Sequence, residues 1–137
     1  MLTFFMSHWY VFFIAAISGL MLLWPLVAEN VSGLKKIDPQ SAVQLMNRRH
    51  AMLIDVRDAT EVLAGKIAQA KHIPLADLVG RVSELSKQKE KPVIVYCQSG
   101  ARSAAACTLL QKNGFTEVYS LDGGLLAWEK AALPVSR

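Results

Sequence analysis

The distribution of charge constrains the fold of this chain more than any other feature. No Asp, Glu, Lys or Arg precedes Glu29, so the whole formal net charge of +4 belongs to the residues that follow. Trp9 to Ala28 is a run of 20 residues without a charge. A hydrocarbon core of about 30 Å takes about 20 helical residues to cross. Trp9 and Tyr10 at one end and Trp24 at the other suit the two headgroup belts. Pro25 is tolerated near the end of such a span, where it kinks or stops it. The chain is therefore expected to carry an N-terminal transmembrane anchor over residues 1–28, a polar linker over 29–37 and one soluble domain over 38–137.

Two other readings of the apolar run are weaker. A cleaved signal peptide starts with Lys or Arg, has a shorter apolar core and ends in a small-residue cleavage site, and none of these is present. A core helix of a soluble protein keeps a polar face, which this run lacks. Ala15 and Gly19 have the spacing of a helix-pairing motif, a pattern common by chance in apolar helices. Lys35 and Lys36, then Arg48 and Arg49, follow the span, and no Lys or Arg precedes it. The positive-inside rule then places the C-terminal domain in the cytoplasm.

The remaining residues suffice for one domain. Its lysines and arginines are scattered among acids, with no basic stripe and no aromatic interleaving, so no nucleic-acid partner is expected. Asp38-Pro39 starts a helix, with an N-cap followed by proline at the first helical position. Ala51 to Val56 reads as a buried strand. Asp58 with Glu61 resembles a capping box at the start of a short helix that Gly65 ends. Lys71 to Ile73 is a short strand, Leu75 to Leu85 a helix and Val93 to Tyr96 a central strand. Ala101 to Asn113 is a helix closed by Gly114, Val118 to Leu121 a strand, and a last helix surrounds Trp128. Short apolar strands alternating with amphipathic helices predict an α/β fold, a mainly parallel sheet with helices on both faces, preceded by the membrane helix. Sites in such sheets lie beyond the carboxyl ends of the strands.

Cys97 falls at such a place. Val93-Ile94-Val95-Tyr96 runs directly into it, Gln98-Ser99-Gly100 form a short polar loop, and an Ala-rich helix follows. That geometry aims loop N–H groups and the positive helix end at the sulfur, which lowers the thiol pKa and favours the nucleophilic thiolate. The plain alternative is a buried structural cysteine, but such a residue needs neither the Ser/Gly loop nor Arg102 five positions on. Cys107, in the middle of the helix, reads as a packed core thiol. It has a weaker claim as a resolving partner, because loop and helix separate it from Cys97. No Cys/His spacing suggests a metal, and a lone reactive thiol suits a reducing compartment.

Four segments, in order, resemble the rhodanese-like domains, the single-domain sulfurtransferases: Leu53-Ile54-Asp55-Val56-Arg57 with Glu61; Gly65-Lys66-Ile67 leading to His72-Ile73-Pro74; Cys97-Gln98-Ser99-Gly100-Ala101-Arg102-Ser103; and Gly114-Phe115 with Val118, then Leu121-Asp122-Gly123-Gly124 and Trp128. The similarity covers about residues 38 to 134. The arrangement with one N-terminal span looks like the membrane-anchored rhodaneses of bacteria, which implies a single-pass protein of a bacterial inner membrane.

The resemblance implies a two-step relay without a cofactor. Cys97 takes the sulfane sulfur of a small donor, thiosulfate or a persulfide, and hands it to a thiol or cyanide acceptor or to a protein partner. Gln98 to Ser103 would wrap the sulfur with N–H groups, Gly100 would let the loop fold tightly, and Ser99 and Ser103 would add hydroxyl donors. Arg102 would hold the loop or meet an anionic donor, with an ion pair to a nearby acid as the structural alternative. Phosphatases related to the family place the arginine six residues after the cysteine, so the shorter loop here argues for one sulfur atom over a phosphate. Asp55, Arg57 and His72 read as scaffold. Lys66 stands where the family often has histidine, and Gln69 where it often has glycine. Gln98 stands in a loop where thiosulfate-using members often carry cations, which turns the expectation from thiosulfate toward a persulfide donor. The competing function is a module that senses persulfide or recruits a partner to the membrane without turnover.

Overall fold

The computed structural model describes residues 1–31 and 34–137. Two compact units result, Met1–Gly33 and Leu34–Arg137. The first holds α1 (Leu2–Ser7) and α2 (Trp9–Val31). Within α2, Trp9–Leu26 has a mean hydropathy of 1.9 and none of it is buried within the structure. Those 18 residues measure about 27 Å, long and apolar enough to cross a bilayer. Pro25 lies inside the helix without ending it.

The second unit contains β1 (Lys35–Ile37), α3 (Pro39–Arg49), β2 (Met52–Asp55), α4 (Ala59–Ala64), β3 (Lys71–His72), α5 (Leu75–Arg81), a 3₁₀ helix (Val82–Gln88), β4 (Val93–Tyr96), α6 (Ala101–Lys112), β5 (Val118–Leu121) and α7 (Gly124–Lys130). The strands form one sheet in the order β1-β5-β4-β2-β3, and every neighbouring pair is parallel. Alternate side chains along each strand feed two cores. Val93, Val95 and Cys97 face one with Ile54, Val56 and Val118, which α5, the 3₁₀ helix and α6 cover through Leu78, Leu85 and Leu110. Ile94 and Tyr96 face the other with Leu53 and Leu121, which α3 and α7 cover through Ala42, Leu125 and Trp128. The sheet is thus covered on both faces, as its continuous apolar strands require.

Three local expectations change. Residues 35–37, expected in the linker, form edge strand β1, with Lys35 opposite Tyr119 and Ile37 opposite Leu121. The outer edge of β5 needs backbone partners, and a lysine-bearing edge strand supplies them while blunting further pairing. The helix expected to run to Leu85 tightens at Val82 into a 3₁₀ turn. Three residues per turn put Val82 and Leu85, both buried, on one face. The capping box at α4 does not form: Asp58 occupies the N-cap position without a side-chain bond, and Glu61 is engaged elsewhere. The cap of α3 forms as expected, Ser41 N–H donating to Asp38 Oδ2 at 3.2 Å.

Candidate active site

Strand β4 ends at Tyr96, and Cys97 is the next residue, at the carboxyl edge of the sheet and beside its central strand. Its side chain is 1 % exposed. Gly100, in a left-handed conformation at the N-cap of α6, turns its N–H onto Cys97 Sγ at 2.9 Å. The thiol itself lies 3.7 Å from Ser103 Oγ. Burial pushes the Cys97 thiol up, but the backbone N–H groups of Ser103, Gly100 and Ser99 and the Ser103 hydroxyl outweigh it and hold the thiol below its ordinary value. Burial without such donors does the opposite at Cys107, where the pKa is pushed up to about 12. The two cysteines share one apolar core, yet only Cys97 has a thiolate-stabilising cradle.

The Ser103 hydroxyl is held from a second side. Its oxygen lies 2.7 Å from Ser120 Oγ on β5 and donates to Gly100 O at 2.9 Å. With Ser120 donating to it, the single Ser103 proton reaches a negative sulfur only by turning away from Gly100 O. Of the serines expected to donate, Ser99 contributes through its main chain, and Ser103 through both main chain and hydroxyl. Ala101 is the first residue of α6.

The carbonyls of the loop are fixed by α7. Leu125 N–H donates to Cys97 O at 2.9 Å and Leu126 N–H to Gln98 O at 3.3 Å. Carbonyls tied to α7 leave the loop amides to face the sulfur. This approach demands glycine at 124, where φ is +59° and a Cβ would lie 2.4 Å from Cys97 O and 2.7 Å from Gln98 O.

Arg102 does not reach out to a donor. It forms a two-pronged pair with Glu61, at 2.6 and 2.8 Å, which clamps α6 to α4. The hydrogen bond to Arg102 holds the Glu61 carboxyl below the usual range. Gln98 is anchored as well, its Oε1 accepting from Arg57 Nη1 at 3.2 Å. Arg57 is 1 % exposed and Asp55 0 %. Asp55 accepts from Arg57 Nε at 3.0 Å and Nη2 at 2.8 Å, and from Tyr96 OH at 2.7 Å. Arg57 Nη2 also donates to Gly65 O at 2.6 Å, and His72 Nε2 donates to Arg57 O at 2.7 Å. Burial works against the Arg57 charge, but Asp55 outweighs it and keeps the guanidinium protonated. These three residues are the scaffold expected of them, with the added consequence that the scaffold reaches the loop through Gln98.

Sequence reasoning missed Glu61 as the partner of Arg102, Ser120 behind Ser103, the Tyr96 hydroxyl and the part played by α7. The pair Gly123-Gly124 ahead of a helix was the available signal for the last.

The chain matches the Rhodanese-like domain family over residues 38–131. It is 37 % identical over 101 residues to a sulfurtransferase of Allochromatium vinosum, covering 73 % of this chain and 92 % of that protein. It is 34 % identical over 99 residues to the thiosulfate sulfurtransferase GlpE of Vibrio cholerae, covering 72 % and 92 %. Among solved structures, the polysulfide-sulfur transferase homodimer of Wolinella succinogenes superposes with a TM-score of 0.69 at 29 % identity, covering 85 % of this chain and 87 % of that one. The chain belongs to the rhodanese-like domain family.

Proposed function

We propose that Cys97 of this rhodanese-like domain carries a sulfane sulfur as a persulfide from a small donor to a nucleophilic acceptor. The observation that carries this reading is the buried sulfur, held below its ordinary pKa by the Gly100 N–H at 2.9 Å and its neighbours at the end of β4. The relatives named as sulfurtransferases support the reaction class. In the first half-reaction the Cys97 thiolate attacks the outer sulfur of the donor, and the donor's S–S bond breaks. With thiosulfate, sulfite departs with the electron pair and Cys97 becomes Cys–S–S⁻. In the second, cyanide or a thiolate attacks the terminal sulfur and the Cys97 thiolate is regenerated. Splitting the transfer this way is covalent catalysis. The amide cradle serves both anionic states, because its N–H donors stabilise negative charge on sulfur.

The test is thiocyanate formation from a sulfur donor and cyanide by the full chain in detergent. Turnover is expected, and Cys97→Ser abolishes it. Equal thiocyanate formation by Cys97→Ser would overturn the assignment. A fold-intact protein that never turns over would favour the sensing or recruitment module.

The α2 helix anchors this enzyme in a membrane, with the domain on the side of Lys35 and Lys36. The uncharged 18-residue stretch, none of it buried, supports the span, and the two lysines beyond it support the orientation. Retention of the chain in alkali-washed membranes at full mass is expected. Recovery of a soluble protein lacking the first thirty or so residues would show a cleaved leader instead.

A further inference from the structure

The fold gathers at one edge of the sheet cations that lie far apart in the sequence. All five strands are parallel, so they begin at the same edge, and each helical crossover returns there. Lys35 opens β1, and Arg48 and Arg49 occupy the last turn of α3, just before β2. Lys89 and Lys91 precede β4, and Lys112 ends α6, just before β5. Arg49 pairs with Glu117 at 2.8 Å, and Lys89 O accepts from Thr116 N–H at 3.1 Å, so these segments meet along one surface. Among the described residues, the acids on this edge are Glu90 and Glu117, and Arg49 takes up the second. Arg48, Lys89, Lys91 and Lys112 have no acidic partner among the described residues.

The opposite edge, where Cys97 lies, carries the other sign. Asp38, Asp58 and Asp122 follow β1, β2 and β5, and the Arg102 guanidinium there is taken by Glu61. The domain is polarised along its strands, basic where they start and acidic where they end. Lys35 stands nine residues beyond Leu26, the last residue of the apolar stretch, so the chain enters the domain through its basic edge. Beside that edge, between α3 and β1, lies a cavity of about 330 Å³ with Ile37, Leu45 and Tyr119 as apolar walls and Arg48 and Arg49 among its lining. Cations set against apolar walls suit a headgroup phosphate that carries an apolar body better than they suit a nucleic-acid backbone.

We propose that the amino edge of the sheet is a docking surface for the anionic phospholipid headgroups of the bilayer that holds the anchor. The proposal rests on the anchor described above and goes beyond it, since a tether alone leaves the domain free in water. Each cation brought to a negatively charged leaflet strengthens association by about fivefold, and the tether keeps the surface within reach. Docking by this edge leaves Cys97, at the other end of the strands, clear of the lipid and open to soluble donors and acceptors.

The test is lysine acylation, read residue by residue by mass spectrometry, on the full chain in lipid nanodiscs. The discs hold phosphatidylcholine alone or mixed with phosphatidylglycerol. Lys89, Lys91 and Lys112 are the reporters, because they lie far along the chain from the span. Lys66 is the reference, since its neighbour Gly65 is held by Arg57 on the Cys97 side. Labelling of the three reporters is expected to slow by about fivefold or more in the anionic discs, with Lys66 unchanged. High salt restores it. Arg48→Glu reduces the protection by about fivefold and leaves thiocyanate formation intact, which shows that the domain is folded. Reporters labelled equally in both discs, or protection shared by Lys66, or protection unchanged in Arg48→Glu, overturns the docking surface while the anchor stands. Protection by duplex DNA added to phosphatidylcholine discs, with none from phosphatidylglycerol, overturns the lipid in favour of nucleic acid. A chain that does not enter the discs overturns the anchor and the docking with it.

Discussion

Gly124→Ala tests the idea that α7 shapes the nucleophile's loop. The added Cβ would sit 2.4 Å from Cys97 O and 2.7 Å from Gln98 O, below the 3.0 Å limit for real contacts. Relief needs the α7 start and the loop to part by more than about 0.6 Å. That movement weakens the bonds from Leu125 N–H to Cys97 O and from Leu126 N–H to Gln98 O, worth about 1 kcal/mol each. A left-handed alanine adds about 1 kcal/mol. The expected cost is about 3 kcal/mol in urea unfolding of the domain. The same displacement turns the loop amides away from Cys97, so alkylation of the thiol at neutral pH slows by about tenfold. Gly123→Ala is the control. The three atoms nearest its Cβ all belong to Ala127, the closest at 2.7 Å, whereas those at Gly124 belong to Cys97 and Gln98, so it costs stability with less effect on thiol reactivity. A Gly124→Ala protein as stable and as fast to alkylate as wild type would refute the argument.

Further outcomes follow from the same geometry. Alkylation of Cys97 rises with pH to a midpoint below the ordinary thiol value of 9.0, whereas Cys107 stays unreactive until the domain unfolds. Because the folded thiol titrates lower than the unfolded one, it adds stability as pH rises from the folded midpoint toward the ordinary value. Urea unfolding of wild type and Cys97→Ser should therefore diverge with alkaline pH, and parallel curves contradict this. Asp55→Asn leaves the buried Arg57 without its partner and costs about 3–5 kcal/mol in the same assay, and a loss under 1 kcal/mol would contradict the scaffold assigned to it. Glu61→Gln frees Arg102 at a partly exposed site, so stability falls by under about 1 kcal/mol while sulfur uptake from thiosulfate quickens. An unchanged thiosulfate rate would show that the pair does not govern anionic donors.

The sheet, its helices and the place of Cys97 were legible because they rest on local chemistry: apolar strands of four residues, a proline at N1, a cysteine where a strand meets a helix. What stayed hidden depends on distant contacts. Lys35–Ile37 carries two lysines and no alternation, and becomes a strand only because β5 exposes an edge to it. Glu61 had a good local reading as a capping residue, and Arg102, 41 positions away, overrides it. Ser120 and Tyr96 looked like ordinary strand residues until the pairing of β4 with β5 and β2 brought them beside Ser103 and Asp55. Gly124 was visible as part of a motif, but its reason lies in the carbonyls of Cys97 and Gln98, which no local pattern reveals.

The central claim, that Cys97 carries the sulfur, is tested most directly by intact-mass measurement of the full chain after exposure to a sulfur donor. The relay predicts a gain of one sulfur, about 32 Da, on Cys97, absent in Cys97→Ser and discharged by cyanide or a thiol. A chain that gains no mass from any donor, or gains it equally in Cys97→Ser, contradicts the account.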